Sequence, residues 1–267
     1  MPLRIAAVAL FSAAALAASS GVAANASTAG TVSCASMTTS MAGLTAAQAI
    51  RTVTANMSHA CGFTVSGNFD GLGFNIDGWE LDGTSTYGAL GAAHIVWFDQ
   101  GMVLDFYRAG GGEYLRIYED GKPNAAPDLN VRAEWQAFGI SSSVFKKAGS
   151  AKWIKLTTAQ QKKINPEFDL PLTASALASA IAKGSGKPWK LGGTKTVNGV
   201  RCTVLTDPAN NSNGGYLGES LYVATATGLP VGIHYVSQDS QAVATSFGHW
   251  GKAGAVSPPP ASKVVVG

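Results

Sequence analysis

Between residues 62 and 118 apolar and polar positions alternate with a period of two, and the alternation restarts four or five times. Phe63, Val65 and Phe69 alternate with Thr64, Ser66 and Asn68, then Leu72, Phe74 and Ile76 with Gly73, Asn75 and Asp77. Further runs follow at His94–Asp99, Met102–Phe106 and Tyr114–Tyr118. Each run has strand length, and the connectors Asp70-Gly71, Asp82-Gly83 and Gly110-Gly111-Gly112 carry residues that tight turns demand. The pattern predicts an antiparallel meander with one apolar and one polar face. Gly71 and Gly83 are expected at positive φ, and Gly78 at a bulge.

Helical spacing brackets this region. Ahead of it, Thr45 is a plausible N-cap for a helix carrying Ala49, Ile50, Val53 and Met57 up to His59. Behind it, past Pro123 and Pro127, Leu129, Ala133, Trp135 and Phe138 predict a short helix, and Val144 with Phe145 a further turn. Trp153 to Leu156 reads as extended. Thr158–Ile164 and Ala174–Lys183 read as helices, the second stopped by Gly184 and carrying an apolar stripe at Leu177 and Ile181. Alternation returns at Lys190–Val197 and Val200–Leu205, joined by Asn198-Gly199, a strong hairpin signal. Further strands are expected at Ser220–Ala226, Val231–Val236 and Ala242–Trp250, with Val264–Val266 as an edge strand.

Composition changes this picture at the N-terminus. The 267 residues are 46% hydrophobic and 13% charged, within the globular range. Residues 1–26 read as an export leader: Arg4, an apolar run from Ile5 to Ala17 too short to span a bilayer, and a small-x-small site at Ala24-Asn25-Ala26. Residues 27–43, poor in bulky side chains, read as a flexible leader, and 44–267 as one domain. The expected location is therefore outside the cytoplasm, secreted or in the cell envelope. No later stretch reaches the ~20 apolar residues of a membrane helix.

Three cysteines, Cys34, Cys61 and Cys202, leave one over after any single disulfide. Thr31-Val32-Ser33-Cys34 is a weak form of a lipidation sequence, with Thr31 where leucine is usual; Cys34 is either a lipid anchor or a leader thiol. Cys61 shares parity with Phe63 and Val65, and Cys202 with Val200 and Val204. Both sulfurs are expected on the apolar face, which favours a Cys61–Cys202 bond over the rival Cys34–Cys61.

The formal charge of +3 is too small to imply nucleic acid. Lysines nevertheless crowd the middle of the chain, at Lys146, Lys147, Lys152, Lys155, Lys162, Lys163, Lys183, Lys187, Lys190 and Lys195, either a solvated helical face or a surface for anionic head groups. No P-loop, nucleophile elbow, His-Glu-x-x-His or Cys-x-x-Cys is present. His59, His94, His234 and His249 stand singly, so no metal site or cofactor is expected. Asp70, Asp77 and Asp82 each precede glycine, which turn chemistry explains. The six tryptophans are spread over every segment after the leader, as one wide apolar surface collecting from all of them would require.

Gly193-x-x-x-Val197-Asn198-Gly199-Val200, then Leu221-Tyr222-Val223-Ala224-x-x-x-Gly228-Leu229-Pro230-Val231, then Phe247-Gly248-x-Trp250-Gly251 and Pro258-Pro259 follow in an order that resembles the LppX/LprG type of actinobacterial exported lipoproteins, relatives of the lipoprotein carrier LolA. The resemblance implies an α+β fold: a large curved antiparallel sheet, an open half-barrel, with helices packed in its concave mouth around an apolar cavity for acyl chains. It implies a monomeric, non-enzymatic carrier of a lipid, glycolipid or acylated protein, in contact with a membrane surface. The alternative is a cell-surface regulatory or structural module that binds a protein partner with the same fold. By parity, Phe63, Val65, Phe74, Ile76, Leu104, Phe106, Val204, Val223, Ile233 and Tyr235 are expected to line the concave face, with Trp135, Phe138, Leu177 and Ile181 facing them from the helices.

Overall fold

Twelve strands hydrogen-bond into one sheet in the order β12-β6-β5-β4-β3-β2-β1-β11-β10-β9-β8-β7. The first half comprises β1 (Gly62–Asn68), β2 (Asp82–Gly88), β3 (Ala93–Asp99), β4 (Met102–Ala109), β5 (Gly112–Glu119) and β6 (Trp153–Lys155). The second comprises β7 (Lys190–Val197), β8 (Val200–Asp207), β9 (Tyr216–Ala224), β10 (Pro230–Ser237), β11 (Ala242–Gly248) and β12 (Val264–Val266). The described helices include α1 (Ala46–His59), α2 (Ser142–Ala148), α3 (Thr158–Phe168) and α4 (Ala174–Lys183), with a helical turn at 135–137 and a 3-10 turn at Ala261–Lys263. This is a computed structural model describing residues 39–68, 82–88, 91–99, 101–122, 135–168, 173–184, 187–207, 216–237, 242–251 and 256–267. The expected strand with Phe74 and Ile76, the turn at Asp70-Gly71, Gly78, Cys34 and the leader up to residue 38 lie outside these residues. Residues 39–43, expected to be flexible, instead donate from the Thr39 and Met41 N–H groups to the Thr227 and Thr225 carbonyl oxygens, and Met41 is buried in the core.

The sheet is two meanders sewn together. Successive strands pair antiparallel from β1 to β6 and from β7 to β11, and antiparallel pairing of β1 with β11 makes the two runs continuous. The sheet is not closed into a barrel, because β7 and β12 each end the order; β12 joins β6 in parallel. At the seam Gly67, opposite Thr245, has φ 113°, and a methyl group there would overlap the Ala244 carbonyl oxygen. Only glycine meets both conditions without strain.

Local sequence explains the helices. Thr45 and Gln48 form a reciprocal capping box on α1, and Thr173 caps α4, which ends at Gly184 with φ 46°. α1 buries Ala49, Val53 and Met57, and α4 buries Leu177, Ala178 and Ile181; the two helices pack together. They share one core with the inward residues of the sheet. Near its centre the Phe63 ring stacks on Trp250 at 4.4 Å and on Tyr87 at 4.9 Å. Buried Asn56 donates to the Thr227 and Gly228 carbonyl oxygens, tying α1 to the β9–β10 turn.

Three expectations are corrected. Asp82-Gly83 is not a turn: both residues belong to β2, paired with Asn68 and Gly67 of β1 and with Phe98 and Trp97 of β3. The Cys61–Cys202 bond is not formed, since Cys202 is a buried free thiol while Cys61 is disulfide-bonded. β1 and β8 are separated by β11, β10 and β9, a path of roughly 19 Å along the sheet at ~4.8 Å per strand, against a Cα limit of about 7 Å. The parity argument failed as well. Leu205 pairs with Leu221 in the core, so Val204 and Cys202, opposite Tyr222 and Ala224, lie on the other face.

Asp207 and Glu219 are paired across β8 and β9 and both are buried. Burial first, and the Asp207 charge second, push the Glu219 carboxyl up to about 8. A raised folded pKa means that folding holds a proton. The associated stability is complete below the unfolded carboxyl value of 4.5 and drains away as pH rises toward about 8.

Three outcomes follow from this architecture. The urea midpoint of the wild type should fall between pH 5 and pH 8.5, and Glu219→Gln should flatten that fall; an equal slope in both proteins would contradict the burial described. Gly67→Ala should destabilise by at least about 2 kcal/mol in the same assay, and a neutral result would show that the seam is looser than described. A non-reducing peptide map should join Cys61 to the peptide containing Cys34 and leave Cys202 alkylatable only after unfolding; recovery of a Cys61–Cys202 peptide would restore the original pairing.

Candidate functional site

The inward face of the sheet carries an apolar band that crosses the strands. Cross-strand pairs run Phe63 to Tyr87, Ile95 to Phe106, Phe106 to Leu115 and Leu115 to Ile154 in the first half, and Ile233 to Leu221 and Leu221 to Leu205 in the second. Of the residues expected on the concave face and its covering helices, Phe63, Val65, Leu104, Phe106, Trp135, Phe138, Leu177, Ile181, Val223 and Ile233 all join this single core. They cover one another, and none is more than 6% exposed. Val204 is excluded by its orientation. Tyr235 lies in β10 with its backbone paired to Glu219 and Val243. Phe74 and Ile76 lie outside the described residues.

At one end of this band the lining turns polar along the same strand faces. Two residues beyond Phe106 stands Arg108, two residues before Leu115 stands Glu113, and the two are paired directly across β4 and β5. Between them Gly110 and Gly111, at φ 56° and 74°, make the two-residue turn that positive φ requires. Arg108, Ala109, Gly110, Gly111, Gly112 and Glu113, together with Gly91, Ala92 and Gln161 of α3, line a cavity of about 600 Å³.

The electrostatics of this cavity are set by one ion pair. Arg108 Nε donates to Glu113 Oε1 at 2.8 Å, and its Nη2 donates to the same oxygen. Glu113 is only 7% exposed, and its Oε2 is buried without a hydrogen-bond partner. A desolvated carboxylate oxygen in that state seeks a donor, while the guanidinium retains N–H groups that the single carboxylate oxygen does not use. The ion pair brings no net charge to the cavity wall, and the guanidinium N–H groups left over are the hydrogen-bond donors it can offer there, while Glu113 Oε2 is closed off from water. Neither Arg108 nor Glu113 was singled out by sequence. The available signal was their opposite charge on either side of Gly110-Gly111-Gly112, legible once the hairpin is folded about its two central glycines.

The outer face of the same strands holds a second polar group. Buried Asp105 accepts from Arg116 Nη2 at 2.7 Å through Oδ2, and its Oδ1 lies 3.0 Å from His94 Nε2. His94 stacks on Tyr107 at 3.8 Å, and the Arg116 guanidinium sits over the rings of Trp153 and Tyr118 at 4.1 and 4.5 Å. Burial, more than the neighbouring charges, raises the phenols of Tyr107 and Tyr118 above their ordinary value. Asp105 divides its two oxygens between a cation and a stacked imidazole, an arrangement that fastens β3, β4 and β5 together. It does not line the cavity. Among the described residues no three His, Cys, Asp or Glu side chains group as metal ligands.

No protein-family model and no curated protein matches this chain. Among solved structures, it is similar to LprF from Mycobacterium bovis, at 13% identity and a TM-score of 0.41, covering 80% of this chain and 96% of that one. It is similar to the Mycobacterium tuberculosis lipoprotein LppX at 14% identity and a TM-score of 0.41, covering 79% of this chain and 97% of that one. It is also similar to MucB in the Pseudomonas aeruginosa MucA/MucB complex, at 13% identity and a TM-score of 0.32, covering 81% of this chain and 59% of that one.

Proposed function

We propose that this chain is an exported, non-enzymatic carrier that shields the acyl chains of a lipid, glycolipid or acylated protein between its sheet and helices α1 and α4, with the polar end of the ligand in the Arg108–Glu113 cavity. The observation that carries this reading is the change of lining along two paired strands. Phe106 and Leu115 belong to the apolar core, and the next inward positions on β4 and β5 are Arg108 and Glu113. An amphiphile has the same division along its length, and each methylene moved from water into the apolar layer contributes about 0.8 kcal/mol.

Because the described core residues cover one another, loading requires the helical layer to part from the sheet. α1 and α4 are the elements to move: they meet the sheet through their apolar stripes, whereas β1 to β5 are held by ladders of hydrogen bonds on both sides. The protein-partner reading is favoured by one feature. Every residue of edge strand β7 from Lys190 to Thr196 is exposed, Leu191 to 51%, and an edge of this kind can accept another strand. The bulge between Leu191 and Thr194 interrupts that edge.

Protein purified from its own host should carry a lipid that native mass spectrometry detects and denaturing extraction releases. Glu113→Ala should change which head groups are recovered without abolishing acyl-chain binding. Ligand-free protein that takes up no fluorescent fatty-acyl probe would contradict the carrier reading and leave the partner reading in its place.

A further inference from the structure

The lysines that crowd the middle of the sequence have a definite place in the fold. From Trp135 to Pro166 there are six lysines, Lys146, Lys147, Lys152, Lys155, Lys162 and Lys163, and no Asp, Glu or Arg. This stretch supplies α2, β6 and most of α3. α2 packs against β6 and β12. The Lys163 side chain lies against Gly139, in the turn that leads into α2, and Gln160 beside it reaches toward the Gly139 carbonyl oxygen. The three elements are thus neighbours in space.

Each helix turns its apolar side inward and its lysines outward. α2 buries Phe145 and Ala148 and exposes Lys146 and Lys147, while α3 buries Gln160 and Ile164 and exposes Lys162 and Lys163. Lys155 is exposed and Lys152 half-buried. Arg108–Glu113, Arg116–Asp105 and Lys122–Glu119 are ion pairs among the described residues, and none of them uses these six lysines. A solvated helical face ordinarily mixes signs, with carboxylates spaced to meet lysines. Against these six lysines α2, β6 and α3 set one carboxylate in sequence, Glu167 near the end of α3, so the face carries a large positive excess whose self-repulsion an anionic partner would relieve.

We propose that the lysine face of α2, β6 and α3 docks on an anionic lipid surface. Flexible ammonium groups spread over two helices suit a fluid array of head groups, which offers many charges and no fixed geometry. The proposal concerns the outer surface and holds whether or not a lipid is carried inside.

Vesicle co-sedimentation tests it with protein expressed without residues 1–26, so that no attached lipid contributes to binding. Binding is expected to vesicles of phosphatidylcholine with 30% phosphatidylglycerol and to weaken steeply with salt. Lys147→Gln/Lys162→Gln/Lys163→Gln should weaken it at least about tenfold. The matched control Lys190→Gln/Lys195→Gln/Arg201→Gln removes equal charge from β7 and β8, near the other end of the sheet order, and should change binding less than about twofold. Thermal melts of both variants should match the wild type, as exposed side chains predict. Equal binding to pure phosphatidylcholine, an unchanged triple variant, or an equal loss in the control would each overturn the proposal.

Discussion

The pairing of β1 with β11 is the constraint on which the rest of the structure depends. Without it the chain would be two meanders, each with an apolar face and two free edges. With it, the inward face of the first half runs into that of the second, and α1 and α4 can cover both at once. The side chains at the seam show how closely the halves are fitted. Phe63 of β1 is stacked between Tyr87 of β2 and Trp250, which follows β11, and Trp250 in turn donates to the Pro230 carbonyl oxygen at the start of β10. Gly67 permits the two strands to approach where any side chain would collide with the Ala244 carbonyl.

From that constraint comes the division of labour between the two faces. The inward face carries the apolar band and, at the β4–β5 hairpin, the Arg108–Glu113 pair. The outward face carries Asp105 shared by Arg116 and His94, with aromatic rings stacked on the guanidinium and on the imidazole. Both groups are ion pairs on neighbouring positions of the same strands, yet their chemistry differs. Asp105 has both oxygens engaged and Glu113 has one left over. Each group also leaves one buried polar atom without a partner, Arg116 Nε in the outer group and Glu113 Oε2 in the inner one; what separates them is place, since only the Arg108–Glu113 pair borders the cavity.

Much of this was legible in the sequence wherever the signal is local. Asn198-Gly199 marks its hairpin, Thr45 announces α1, and Ala174–Lys183 with Gly184 gives α4 to the residue, because capping and turn chemistry act over a few positions. The sequence misled where a local signal competed with a distant one. Asp82-Gly83 has turn chemistry, but pairing with β1 on one side and β3 on the other holds it extended. On β8 the apolar residues Val200, Cys202 and Val204 alternate cleanly, yet the core takes Leu205 instead; Cys202 and Val204 are buried on the opposite face, beside Ala224 and Tyr222 of β9. Strand order, which rules out the Cys61–Cys202 bond, is set by contacts between residues more than a hundred positions apart. The cavity was invisible for the same reason, since no residue in it is unusual until the hairpin and α3 bring them together.

The central claim is that the inward face of β4 and β5, apolar at Phe106 and Leu115 and polar at Arg108 and Glu113, receives an amphiphile lengthwise. Photo-crosslinking with a fatty-acyl probe carrying its diazirine near the chain end, followed by peptide mapping, tests this most directly. The account predicts labels on inward residues of β4 and β5 and on the buried stripe of α4 around Leu177 and Ile181. Labels confined to the outer face at Tyr107, Tyr118 and Trp153, or to edge strand β7, would contradict it.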